Sequence, residues 1–595
     1  MEEKRDQDLE ARRQRQLAKR KRLRRKKKRL RIVTVILFII LIAVIAMAAF
    51  LWKRYSPTKE TYDLNAYYGI EEDGQMAVIV DNHIAGGTGI IADGKAYIQY
   101  DTVRDSINSR FYWDSEGQQI LYTLPTATIS VSVESKEYSI SKDEQSEDYI
   151  IVKLDGETPY IALDFIQQYT NIDYEVYENP SRVMIVSEWG KTSVATVKKD
   201  TQVRYQAGVK SPILTEIKKG DEVTWMEDEG RWKKVHTKDG FMGYVKSSAL
   251  SKVKETTTSR DFEEPEYTNI SKDYTINMVW HNVTNTDAND GVESLVEKTN
   301  GLTTIAPTWF HVLNTSGDVY SIASEDYVTY AHKNGLEVWA TLRDFDSDNG
   351  INSFDESYEL LKSTKARTKI IDTVISEVVQ MGIDGINLDF EKISTDCGEH
   401  FIQFVRELSV RCRQNNIVLS IDNYVPQNFN LQYNRTEQGI VADYVIIMGY
   451  DEHYAGSEEA GSVASYDYVK EGITQTLQEV PAEKVISAVP FFTRLWSEKN
   501  GTVESDALGM EDAQAAVSAA GATATWDDTT KQNYATWNGS DGTKYEIWLE
   551  DESSLREKLQ IMKDNNLAGT AAWALGQEDQ NIWSVIKEYT TSSKE

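Results

Sequence analysis

Cysteine is nearly absent: Cys397 and Cys412 are the only two in 595 residues. They flank the apolar-periodic stretch Phe401 to Val410, which reads as a helix. At about 1.5 Å per helical residue they stand roughly 20 Å apart, beyond the reach of a disulfide. They are expected to stay unpaired. The seven histidines (83, 236, 281, 311, 332, 400 and 453) show no H-x-H or H-E-x-x-H spacing. No metal site is expected, and no cofactor is implied. Positive charge is scarce beyond the N-terminus. The net charge is −29, to which residues 1–31 contribute +11, so the remainder carries −40. Such a body excludes a nucleic-acid partner, whose phosphates need cations. It also excludes charge-driven attachment to anionic wall polymers. Hydrophobic residues make up 40 % and aromatics 10 %, which is folded rather than disordered composition. The length calls for several domains.

One long apolar run is present. Ile32 to Trp52 is 21 residues without a charge, enough to span about 30 Å of hydrocarbon as a helix. The run KRKRLRRKKKRLR lies immediately before it. The positive-inside rule puts the N-terminus in the cytoplasm and everything after Lys53 outside. Ala46-Met47-Ala48 resembles a signal-peptidase site. The basic segment is long for a signal peptide, however, and the apolar run exceeds the usual core of about 7 to 15 residues. The reading is a retained single-pass anchor at the cell membrane, after a basic tail (1–31) and before a linker (53–71).

Residues 72–188 contain an internal repeat. Tyr97, Ile98, Asp101 and Val103 recur as Tyr160, Ile161, Asp164 and Ile166; Phe111, Ile120 and Tyr122 recur as Tyr174, Val183 and Ile185, always with the same offset. Each copy reads as a strand, a helix and paired strands. The pair resembles the small wall-stalk module named after the N-terminal domain of copper amine oxidases, and is read as a spacer or binding stalk. Residues 191–252 form short strands broken by the turn signals Gly220-Asp221 and Asp239-Gly240. With Trp232, Val235 and Gly243-Tyr244-Val245 they resemble a bacterial Src-homology-3-like barrel. Such barrels often hold peptidoglycan peptides; a plain spacer is the equal alternative. Residues 253–272 are polar and acidic and read as a linker.

From 273 to 595 apolar, β-rich runs alternate with helical patterns eight times, the rhythm of a (β/α)8 barrel. The fold class is thus multidomain. A TIM barrel follows a small β barrel, an α+β stalk repeat and one transmembrane helix, and a β-rich insertion at about 499–550 sits between strands seven and eight. The fourth strand carries Asp384-Gly385-Ile386-Asn387-Leu388-Asp389-Phe390-Glu391. Side chains alternate along a strand, so Asn387, Asp389 and Glu391 share the interior face. Glu391 lies toward the C-terminal end, where catalytic groups emerge in this fold. Three polar residues inside a barrel are costly without partners, which favours a working site.

The motif D-G-x-x-x-D-x-E resembles the signature of glycoside hydrolase family 18, the chitinase-like enzymes. Met448-Gly449-Tyr450-Asp451 and Trp573 resemble further positions of the family, and Pro490 to Trp496 resembles its branch of spore-cortex and cell-wall glucosaminidases. The resemblance covers the last 320 residues or so. It implies a glycosidase in which the substrate's 2-acetamido oxygen attacks the anomeric carbon, outside the two-carboxylate scheme. By resemblance, Glu391 is the acid, and Asp389 holds the acetamide nitrogen. Tyr450 bonds the acetamide oxygen, Asp451 fixes the sugar, and Trp573 is the stacking floor. Asp384 and Gly385 shape the strand entry. The family's commonest pattern has Asp where this chain has Asn387, which cannot relay a proton. Trp309 either lines the cleft or packs; Arg494 either grips a carboxylate or pairs across the rim. Asp422 and Tyr424 are further mouth candidates. The expected partner is a peptidoglycan or chitin-like polysaccharide, with peptidoglycan favoured by the tethered, wall-type architecture. A non-catalytic wall-binding protein is the alternative, and retention of Glu391 speaks against it. Oligomeric state is not legible.

Overall fold

The computed structural model describes residues 1–345 and 350–592. Residues 346–349 and 593–595, within the stretch read as the barrel domain, lie outside the described residues. The chain folds as two compact units: residues 1–98 with 167–261, and residues 99–166 with 262–595.

The first unit begins with one helix, Glu2–Tyr55. It is long and apolar enough to cross a membrane, and none of its residues is buried. A sheet follows in which Gln75–Val80 pairs with His83–Ala92 and with Arg182–Val186. The small β barrel contains Thr201–Arg204, Ile213–Ile217, Glu222–Glu229, Trp232–Thr237 and Met242–Lys246. Its core is Val203, Leu214, Val223, Val235 and Val245. Lys254–Thr258, inside the stretch read as linker, pairs antiparallel with Gly190–Thr196. Threonine-rich and mostly exposed, it suits an edge strand, which polar composition alone does not distinguish from a linker.

The second unit is built on eight parallel strands: β1 (Ile276–His281), β2 (Thr304–Pro307), β3 (Glu337–Arg343), β4 (Gly385–Asp389), β5 (Val418–Tyr424), β6 (Tyr444–Met448), β7 (Val485–Pro490) and β8 (Gly569–Trp573). Each pairs with the next, and β8 returns to β1, closing the barrel. Helices such as Thr364–Met381 and Gly398–Asn415 fill the connections. The alternation of side chains makes two cores. Met278, Trp280, Trp339, Tyr444 and Ile446 pack inside the barrel. Leu388 and Phe390 join the layer between strands and helices. Gly385 has no room for a β-carbon, because Trp339 occupies that space 2.6 Å away. The Asp384 carboxylate accepts the Val338 N–H at 2.8 Å, securing the strand entry. Between β7 and β8 stands a five-stranded antiparallel sheet spanning 492–549, with the helix Met510–Ala519 against it. Both cysteines are buried and free.

The repeat is divided differently from the reading of 72–188 as one module. Residues 99–166 belong to the unit that holds the eight-stranded barrel. Phe111–Asp114, Gln119–Thr123 and Thr128–Ser132 form an antiparallel sheet whose neighbours are barrel helices. Arg367, fully buried, donates to Glu407 at 2.9 and 3.0 Å and to the Tyr112 hydroxyl at 3.2 Å. Arg110 and Arg406 both donate to Glu437 at 2.8 Å. Buried ions must be paired, and here the pairs join the first copy of the repeat to the barrel.

Candidate active site

At the C-terminal mouth of the barrel lies a cleft of about 280 Å³. Asp389, Glu391, Tyr450, Asp451 and Trp573 line it, together with Arg343, Asp422 and Tyr424. The strands explain the convergence. Asp389 ends β4, Arg343 ends β3, Tyr424 ends β5 and Trp573 ends β8, while Tyr450 and Asp451 lie just past β6. Parallel strands point all these ends the same way.

Glu391 is two residues beyond β4, so its placement depends on a loop rather than on the sheet. Asp344 holds that loop. Its carboxylate accepts the backbone N–H of Glu391 at 2.8 Å and of Lys392 at 3.0 Å, and the Ser357 hydroxyl at 3.1 Å. Burial pushes Asp344 up to about 6, against those hydrogen bonds. The Tyr424 hydroxyl donates to Glu391 Oε2 at 2.6 Å. Burial raises Glu391 above the ordinary carboxylate range, with Asp451 adding to the shift and Tyr424 opposing it. A carboxyl so placed keeps its proton to higher pH, as a general acid requires. Asp389 is raised further, chiefly by burial and then by the charge of Glu391.

Asp451 adopts a left-handed backbone (φ 61°), which Asp tolerates better than bulkier side chains. Burial raises its carboxyl, and the nearby Arg494 guanidinium opposes this. The Trp573 ring lies beside Trp280, with centroids 6.1 Å apart. Tyr450 meets Phe492 edge to face at 6.2 Å.

Three candidates stand elsewhere. Asn387 is fully buried beneath the cleft. Its oxygen accepts from Trp280 Nε1 (2.8 Å) and the Thr341 hydroxyl (3.2 Å); its nitrogen donates to Ser420 (3.1 Å) and Asp422 Oδ1 (2.8 Å). It positions groups and does not line the cleft. Trp309 is corrected from possible cleft residue to packing residue. It is wholly buried in the outer layer, with Nε1 donating to Asn289 at 2.8 Å and the ring 5.0 Å from Tyr327. It lies past the end of β2, where strand alternation no longer governs direction. Arg494 stands on the insertion, donating to the Ser505 hydroxyl at 3.0 Å, near Asp451 but outside the lining. The residues missed from sequence are Asp344 and Arg343. Both sit at the end of β3, the position where this fold gathers functional groups.

Residues 347–578 match the model of the glycosyl hydrolases family 18, and residues 199–251 match the bacterial SH3 domain. The uncharacterized glycosylase YvbX of Bacillus subtilis is 24 % identical over 293 residues, covering 46 % of this chain and 81 % of that protein. The cortical fragment-lytic enzyme of Bacillus anthracis is 22 % identical over 254 residues, covering 42 % of this chain and 59 % of that enzyme. The spore cortex-lytic enzyme SleL of Bacillus megaterium superposes with a TM-score of 0.47 at 17 % identity, covering 56 % of this chain and 77 % of that structure.

Proposed function

We propose, from the premise that residues 347–578 are a family 18 glycosyl hydrolase domain and the protein a glycosidase, that it is membrane-anchored and cuts β-linked N-acetylglucosamine polysaccharide outside the cell. The observation that carries the reading is the pairing of Glu391 with Asp389 at the barrel mouth, over an aromatic floor. Glu391 protonates the leaving glycosidic oxygen and later activates water. The substrate's acetamide oxygen attacks the anomeric carbon, with retention of configuration. Asp389 accepts the acetamide N–H and offsets the positive charge that develops. Tyr450 donates to the acetamide oxygen, Asp451 orients the sugar, and Trp573 stacks beneath it. The basic residues before Ile32 and the apolar run to Trp52 support a cytoplasmic N-terminus and a retained anchor.

Peptidoglycan is favoured over chitin. The support is the small SH3-type barrel and the name of a relative, a cortical fragment-lytic enzyme. Mass spectrometry of products from purified peptidoglycan, run beside chitin oligomers, tests this. New reducing ends from peptidoglycan, at a rate above that on chitin, are expected. Faster chitin cleavage would reassign the substrate, and no product from either would return the protein to the class of wall-binding proteins.

A further inference from the structure

β4 carries an amide, Asn387, two residues before Asp389, and the neighbouring strand β5 carries a carboxyl, Asp422. The β4–β5 register runs Gly385 to Val418 through Leu388 to Ile421, so the next pair is Asp389 and Asp422. Both side chains point into the barrel and line the same cleft. Asp389 is 8 % exposed and Asp422 2 %. Asp422 Oδ1 is held by the Asn387 amide at 2.8 Å. Asp389 Oδ1 and Asp422 Oδ2 are each buried without a hydrogen-bond partner. Two adjacent anions, each with an unsatisfied oxygen, cannot both persist in such a site. One proton between those two oxygens removes the repulsion and satisfies both.

We infer that Asp389 and Asp422 share a single proton, and that Asp422 performs from β5 the proton-holding task which Asn387 cannot perform from β4. In the free protein the proton sits on Asp389. Glu391 next door opposes a charge there, whereas the Asn387 amide supports a charge on Asp422. As positive charge develops on the sugar, the O–H bond at Asp389 breaks and one forms at Asp422 Oδ2. The pair keeps its net charge of −1, and the anion now faces the acetamide. Asn387 fits this scheme for a physical reason: a third carboxylate at its position would confront Asp422 directly, whereas an amide donates to it. Burial raises both carboxyls, in the same direction. Asp422 is thus a positioning residue that acts through Asp389.

The catalytic part of this inference rests on the proposed function; the proton itself does not. Asp422→Asn in the full-length, detergent-solubilised protein is expected to lower kcat about 100-fold with little change in KM, and to shift the acidic limb of the pH profile. The double variant Asn387→Asp with Asp422→Asn returns a carboxyl to β4, and is expected to recover at least tenfold of that loss. A residue needed only for folding would not be rescued in this way. Wild-type kcat and pH profile in Asp422→Asn, or no recovery in the double variant, would overturn the role. Infrared difference spectra at neutral pH read the proton without substrate. The wild type should show a protonated-carboxyl band that shifts in Asp422→Asn, because the proton on Asp389 then faces a neutral amide instead of a carboxylate and has no acceptor. An unchanged band would refute the shared proton even if activity on every glycan were absent.

Discussion

Glu391 is pulled in two directions. Burial and the charge of Asp451 favour its neutral form, while Tyr424, Lys392 and Arg343 favour the anion. The Tyr424 hydroxyl donates to the carboxylate, so removing it raises the carboxyl pKa. A higher pKa keeps the acid protonated to higher pH. Tyr424→Phe should therefore move the basic limb of the kcat/KM profile upward, and a downward move would show that Tyr424 stabilises the acid form instead. Glu391→Gln should keep the fold and glycan binding and lose about 10² to 10⁴ in kcat. Steady-state kinetics on muropeptides, alongside circular dichroism of the variant, measure both. At this scale the pair was legible only in part: the i, i+2 spacing pointed to Asp389 and Glu391, yet Glu391 stands beyond the strand and is brought to the cleft by the loop that Asp344 holds. Asp344 was not legible, since its role is to accept two backbone N–H groups from a loop 47 and 48 residues away in sequence. The fate of Trp309 was not legible either, because it lies beyond its strand.

The eight barrel strands were readable as near-continuous apolar runs, the signature of parallel strands buried on both faces. The first copy of the repeat hid its allegiance. Its sequence matches the second copy, yet Tyr112 on its sheet and Arg110 just before that strand meet ions on barrel helices. Only tertiary structure pairs residues so distant. This element-level claim predicts a cost. Glu437→Gln leaves two arginine side chains, one of them 2 % exposed, without their counter-charge. Breaking a buried pair of this kind costs about 3 to 5 kcal/mol. Thermal unfolding followed by tryptophan fluorescence should show a lowered midpoint for the catalytic unit. An unchanged midpoint would mean that the first repeat is dispensable to it.

For the molecule as a whole, the helix Glu2–Tyr55 and the charge split between tail and body support anchoring with the bulk of the chain outside. On the proposed anchoring, the protein should stay in the membrane fraction through alkaline carbonate extraction, and externally added protease should degrade the rest while sparing the basic tail. Replacing Ile42 and Ile45 by arginine places two charges mid-membrane, at about 2.5 to 3.5 kcal/mol each. That variant should leave the membrane fraction; if it remains there, another attachment is responsible.

The central claim is that Glu391 supplies the proton while the sugar's own acetamide supplies the nucleophile. Time-resolved proton NMR of the wild-type protein, given an N-acetylated glycan and its de-N-acetylated counterpart, tests this most directly. The β-anomer should appear first from the acetylated glycan, with no turnover of the other. An α-anomer appearing first, or equal turnover of both, would contradict the account.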